Sequence, residues 1–137
     1  MEAFSYYRQQ DQMDCGATCL RMICRYYGRN ISIHKLRQLC QSTRSGINLL
    51  GISEAAEKIG FRTQGARLSL ERLAETSLPC ILHWRQNHFV VLYKVRKDKY
   101  YIADPAMGHC RLSQQEFLGN WFAYRGMHQG LMKRPMH

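Results

Sequence analysis

The sequence predicts an α+β fold in which N-terminal helices pack on a C-terminal antiparallel sheet in two layers. Two observations carry this. Apolar residues recur at helical spacing as far as Gly60, and beyond it the pattern shifts to alternation and short apolar runs. A length of 137 residues, 45% of them hydrophobic, supplies one packed core and argues against disorder. Residues 1–126 read as a single domain, and 127–137 as a basic, poorly ordered tail.

The elements follow in order. Cys19, Leu20, Ile23, Cys24 and Tyr27 form a helical stripe after Asp14, with Gly28 as its stop. Asp14 suits the helix start because a carboxylate there meets free N–H groups and the positive dipole end, and Asp11 competes for the role. A second helix opens at Ser32 and carries Ile33, Leu36, Leu39 and Cys40. A third follows Asn48 with Leu49, Leu50, Ile52, Ala55, Ala56 and Ile59, ending at Gly60; this stripe reads as core. Ser69 starts a short helical turn. Phe61 to Arg67, Cys80 to Trp84, His88 to Val95 and Tyr100 to Ala103 read as strands, the last two joined by the Arg96–Lys99 turn into a hairpin. Ser113 and Glu116 match a capping box ahead of Phe117, Leu118, Trp121 and Phe122.

Composition excludes several classes. The longest apolar run, Phe89 to Tyr93, is far short of the ~18 residues of a membrane span. Six cysteines without a signal-like apolar N-terminus read as free thiols of a reducing compartment. No CxxC or HxxxH spacing and no cofactor-binding motif is present, so neither metal nor cofactor is expected. The net charge of +10 calls for an anionic partner to be weighed. No helix-turn-helix, zinc-finger or RNP pattern accompanies it, so nucleic acid is set aside and the charge reads as a solvated surface that helps steer acidic peptides.

Cys15 is the cysteine placed for chemistry. It lies at a predicted helix N-terminus, where the thiolate is favoured, and Gly16 beside it gives backbone room. Cys19 and Cys24, on the apolar face, read as inert. A thiol nucleophile needs a base, and His34, His83, His88, His109, His128 and His137 are available. His88 opens the most apolar strand, with His83 a close competitor. Asp104 ends the partner strand of the hairpin, within reach of His88 through a bulge or a diagonal contact, and would orient the imidazole. Gln9 or Gln10, just upstream, would join the Cys15 N–H in an oxyanion hole.

These residues resemble the bacteriocin-processing cysteine peptidases, papain-like domains found in peptide-exporting ABC transporters. The resemblance rests on Gln9-x-Asp11-x-x-Asp14-Cys15-Gly16 with Cys19-Leu20, on Asn87-His88-Phe89-Val90-Val91, and on Ile102-Ala103-Asp104-Pro105-Ala106. The stretch from Gly46 to Gly60 also looks like the family's helical segment, and the likeness runs from Gln9 to Phe122. It implies Cys15 as nucleophile, His88 as general base and then acid, Asp104 as its orienting group and Gln9, rather than Gln10, in the oxyanion hole. It implies cleavage after a Gly-Gly pair ending a leader peptide, an ABC-transporter membrane domain (fused or separate) as partner, and a place in the cytoplasm or on the cytoplasmic face of the inner membrane. No span and no phosphate-binding Gly-rich loop occurs in these residues, so a stand-alone peptidase and an excised domain both fit. The rival readings are a non-catalytic domain that docks the leader peptide and another papain-like acyl-transfer enzyme.

Overall fold

Helix α1 (Cys15–Tyr26) begins directly after a single 3-10 turn, Gln12–Asp14. The first cap belongs to Asp11, whose carboxylate accepts from the Met13 N–H at 3.0 Å. Asp14 makes no side-chain cap. Its buried carboxylate instead receives two hydrogen bonds from Arg37, Nε at 2.9 Å and a terminal nitrogen at 2.7 Å, across to the next helix. Helix α1 ends at Gly28, whose φ of +80° suits a residue without Cβ.

Helix α2 (Ile33–Gln41) starts with Ser32 Oγ accepting from the Lys35 N–H, and α3 (Leu49–Lys58) with Asn48 accepting from the Gly51 N–H. Strand β1 (Thr63–Leu68) and the short α4 (Leu70–Leu73, capped by Ser69) lead to β2 (Cys80–Trp84). Strands β3 (His88–Arg96) and β4 (Lys99–Asp104) form the expected hairpin, turning at Lys97 and Asp98, both at positive φ. After β5 (Gly108–Ser113), the capping box is present and opens α5 (Gln114–Asn120). Strands β6 (Ala123–Tyr124) and β7 (Met127–Lys133) follow. The computed structural model describes residues 4–41, 48–85, 87–124 and 127–133; Gly46, Gln86 and His137 lie outside the described residues.

The sheet runs β1-β7-β2-β3-β4-β5, antiparallel throughout, with β6 on β7. Three sequence expectations change. Residues 127–133, read as tail, are a strand wedged between β1 and β2. Gly130 permits this, because a Cβ there would sit 2.9 Å from Leu82 Cδ2 and 3.3 Å from Leu68 Cδ1. The two-layer expectation also falls short, since both faces of the sheet are covered. One face, with Ile81, Phe89, Val91 and Ala103, packs on α1 and α3, and α2 packs in turn on those two helices. The other, with Leu82, Val90, Leu92 and Ile102, packs on Phe117 and Trp121 of the α5 region. The unbroken run Phe89–Leu92 is what a strand buried on both faces requires. Strand β5, not expected from the sequence, pairs along its whole length with β4.

Gly16 also has a packing duty that differs from the expected substrate clearance. A Cβ there would meet Ile52 Cδ1 at 2.9 Å, so the missing side chain lets α3 seat against α1. Ile52, Ala55 and Ala56 are core, as read. Leu50 is not: it is 62% exposed.

Candidate active site

The site forms where the N-terminus of α1 meets the ends of β3 and β4. Cys15, at the first position of α1, is buried. His88 is the first residue of β3 and Asp104 the last of β4. The hairpin register slips at a bulge between Leu92 and Lys94, and Val91 then pairs with Ala103. One further step sets Asp104 beside Val90, two residues from His88, so the contact is diagonal. His88 Nε2 lies 2.6 Å from Asp104 Oδ1. The Cys15 sulfur also acts on the imidazole and favours its protonated form. With Nε2 engaged by the carboxylate, Nδ1 is the ring nitrogen left for sulfur.

The electrostatics follow from this chain of contacts. Burial works against a charged His88, but the Asp104 hydrogen bond and the Cys15 sulfur outweigh it and hold the imidazole pKa at about 9. Asp104 shows the reverse balance. Burial alone would raise its carboxyl, yet the His88 bond and the Ala106 and Met107 N–H groups bring it below its ordinary value. All three partners converge on Oδ1, with Ala106 N at 2.9 Å and Met107 N at 3.3 Å. The carboxylate is thus fixed by its own turn before it touches the histidine.

Gln9 comes to the same corner through the backbone: its N–H donates to the Pro105 carbonyl at 2.9 Å. Its side-chain Nε2 donates to the Asp11 carbonyl at 3.1 Å, which uses one of two amide hydrogens. Its Oε1 is buried without a partner among the described residues. Gln10 is exposed and lies 3.4 Å from Arg37, away from this corner.

The other candidates separate cleanly. His83 sits on β2 between the rings of Phe89 and Phe122, at centroid distances of 5.1 and 4.7 Å, and burial lowers its pKa. His34 is exposed on α2, and His109 bonds Tyr93 Oη at 3.0 Å. His128 lies on β7 opposite Leu68, its side chain outside the described residues. Among the histidines of the described residues, His88 is the one bonded to Asp104 and acted on by the Cys15 sulfur. The remaining thiols are held protonated by burial: Cys19 well above its ordinary value, Cys24 and Cys40 at about 11, Cys80 at about 12, with Cys110 raised as well. The Asp14–Arg37 pair was missed by sequence reading, because the partners stand 23 residues apart on separate helices.

The family model for the peptidase C39 family matches residues 3–125, a span that contains the whole constellation. This chain belongs to the peptidase C39 family. Members of that family are cysteine peptidases. Among similar C39 relatives, the probable microcin-H47 secretion/processing ATP-binding protein MchF of Escherichia coli is 41% identical over 108 residues, covering 79% of this chain and 16% of the relative. The lactococcin-G-processing and transport ATP-binding protein LagD of Lactococcus lactis subsp. lactis is 39% identical over 119 residues, covering 82% and 17%. The chain therefore spans about one sixth of the length of these relatives. A double glycine motif protease from an AMS/PCAT transporter, solved with its leader peptide, superposes with a TM-score of 0.83 at 32% identity, covering 96% of this chain and 91% of that one. The peptidase domain of Streptococcus ComA, a bi-functional ABC transporter, gives 0.80 at 29% identity, covering 96% and 100%. The C39 papain-like fold expected from the motifs is the fold observed.

Proposed function

We propose that this C39 domain is an endopeptidase that cuts a leader peptide after a terminal Gly-Gly pair, releasing a bacteriocin-like or other secreted peptide. The buried Cys15 at the start of α1, with its sulfur acting on an imidazole that Asp104 holds at 2.6 Å, carries the reading. Cys15 gives its proton to His88, and its sulfur attacks the carbonyl carbon of the second glycine. The oxyanion so formed takes hydrogen bonds from the free Gln9 amide hydrogen and the Cys15 backbone N–H. As the C–N bond breaks, His88 returns the proton to the departing amine, leaving a thioester. Water, deprotonated by His88, then attacks the thioester, and the thiol and a leader carboxylate are regenerated. Asp104 keeps the imidazole turned toward sulfur throughout.

A separate surface supports recognition of the leader. Leu49, Leu50, Ser53, Gly65, Arg67 and Leu131 border an open groove of about 240 Å³ between α3 and the β1–β7 edge. An amphipathic helix with apolar anchors fits such a groove, and Arg67 together with the net charge of +10 favours an acidic one. The partner is an ABC-transporter membrane domain, fused or separate, and the peptidase works on the cytoplasmic face of that membrane. Among the described residues, no helix is long and apolar enough to cross a membrane.

The test is a synthetic leader ending in Gly-Gly and joined to a short cargo, incubated under reducing conditions and read by mass spectrometry. One cut after Gly-Gly is expected, with none from Cys15→Ala, which still binds the leader. Binding without cutting by the unaltered chain would replace this reading by the docking one. Cutting by Cys15→Ala at the normal rate would remove Cys15 as nucleophile.

A further inference from the structure

The N-terminal arm, residues 4–9, has no regular secondary structure, yet it carries Gln9 into the site. Such a segment has no hydrogen-bond ladder of its own, so its place is set by what it touches. It touches the Asp104–Pro105 corner twice. Tyr6 Oη donates to the Asp104 carbonyl at 2.7 Å and reaches the Pro105 carbonyl at 3.1 Å. Three residues later the Gln9 N–H takes the same Pro105 carbonyl. We propose that Tyr6 is a positioning residue of the peptidase: its hydroxyl locks the arm onto the corner and thereby sets both the Asp104 carboxylate and the Gln9 amide. This rests on the site assignment above.

Two observations give the lock its reach. The Asp104 carbonyl also accepts the Met107 N–H at 3.2 Å, and Met107 and Ala106 are the residues whose N–H groups hold the Asp104 carboxylate. Tyr6 therefore braces the turn that aims the carboxylate at His88. The Tyr6 ring is half-buried and packs on His109, 5.4 Å between centroids, and burial raises its pKa, so the hydroxyl stays a donor. Loss of the hydroxyl leaves that ring contact intact, which makes Tyr6→Phe a clean probe.

The experiment has two readouts on the 137-residue chain: kcat and KM for the Gly-Gly leader, and the rate at which iodoacetamide alkylates Cys15 across pH, followed peptide by peptide. In a thiolate–imidazolium pair the alkylation rate rises again as the imidazolium loses its proton, so this alkaline inflection reports on His88. For Tyr6→Phe we expect kcat to fall about five- to tenfold, the rate equivalent of one neutral hydrogen bond, with KM within about twofold. The inflection moves to lower pH, in the direction of Asp104→Asn but less far. His109→Ala, which removes the ring contact and spares the hydroxyl bonds, leaves the inflection in place. An unmoved inflection and unaltered kcat in folded Tyr6→Phe would overturn the proposal. So would His109→Ala reproducing the shift, since packing of the arm would then be the agent. Alkylation needs no substrate, so a chain that ignores the Gly-Gly leader sinks the substrate reading while the inflection still decides on Tyr6. A Cys15→Ala chain that cleaves normally overturns the site assignment and this proposal with it.

Discussion

At the His88–Asp104 end of the β3–β4 hairpin, polar atoms converge on one another; along the β1–β7 edge, apolar side chains border open space. Asp104 Oδ1 alone holds a histidine and two backbone N–H groups. The groove beside α3 is lined by leucines and glycines, with Arg67 as its charged member. The first arrangement suits bond-making, which needs dipoles fixed before the reaction starts. The second suits capture, which needs accessible apolar area. On this contrast, substitutions at one place act on kcat and at the other on KM.

The largest expected effect breaks the first region. His88→Ala lowers kcat by about a thousandfold or more, as loss of a triad base does, whereas His83→Ala stays within a few-fold; the reverse result would move the base to His83. The same variant has a signature in stability. The His88 pKa is raised from 6.5 to about 9, so the charged pair with Asp104 stabilises the fold fully below pH 6.5 and is lost as pH rises toward about 9. Urea midpoints of the unaltered chain should fall across that window, and those of His88→Ala should lack this component.

An intermediate effect sharpens the second region. Leu50→Ser removes apolar area without adding charge. It should raise KM about tenfold at constant kcat, in keeping with the roughly 1.5–3 kcal/mol of one buried leucine side chain. A lowered kcat with unchanged KM would detach the groove from recognition. The smallest effect concerns Cys19, one helical turn from Cys15 and fully buried. Cys19→Ala should cost about 1 kcal/mol in chemical unfolding and leave turnover intact. Loss of turnover in a folded Cys19→Ala chain would reopen the choice between the two thiols.

What was legible in the sequence depended on how local its cause is. Ser32 and Ser113 each cap the helix that follows, because a cap needs only a side-chain oxygen and an N–H two or three residues away. The bulge that brings His88 toward Asp104 was also countable, since both flanks of one short turn are adjacent in the chain. Cys15, His88 and Asp104 could be named because their motifs are short and ordered. Distant partnerships were not legible. Asp14 looked like a cap and is an ion pair with Arg37, and Tyr6 carried no signal for a bond to a carbonyl 98 residues away. Strand β7 was obscured twice. Its composition, with Gly130 between Gln129 and Leu131, reads as polar and flexible, and its partner β1 precedes it by some sixty residues.

That late strand has a consequence for the chain during synthesis. Strand β1 reaches the rest of the sheet only through β7, so residues 63–68 wait for residues 127–133 before they have a strand to pair with. At about 5–20 residues per second, several seconds separate the emergence of the two strands from the ribosome. Within that interval His88 and Asp104 are made, whereas Leu131, which borders the groove, is made only at its end. Cys15 and the hairpin that bears His88 and Asp104 are therefore complete before the last wall of the groove is.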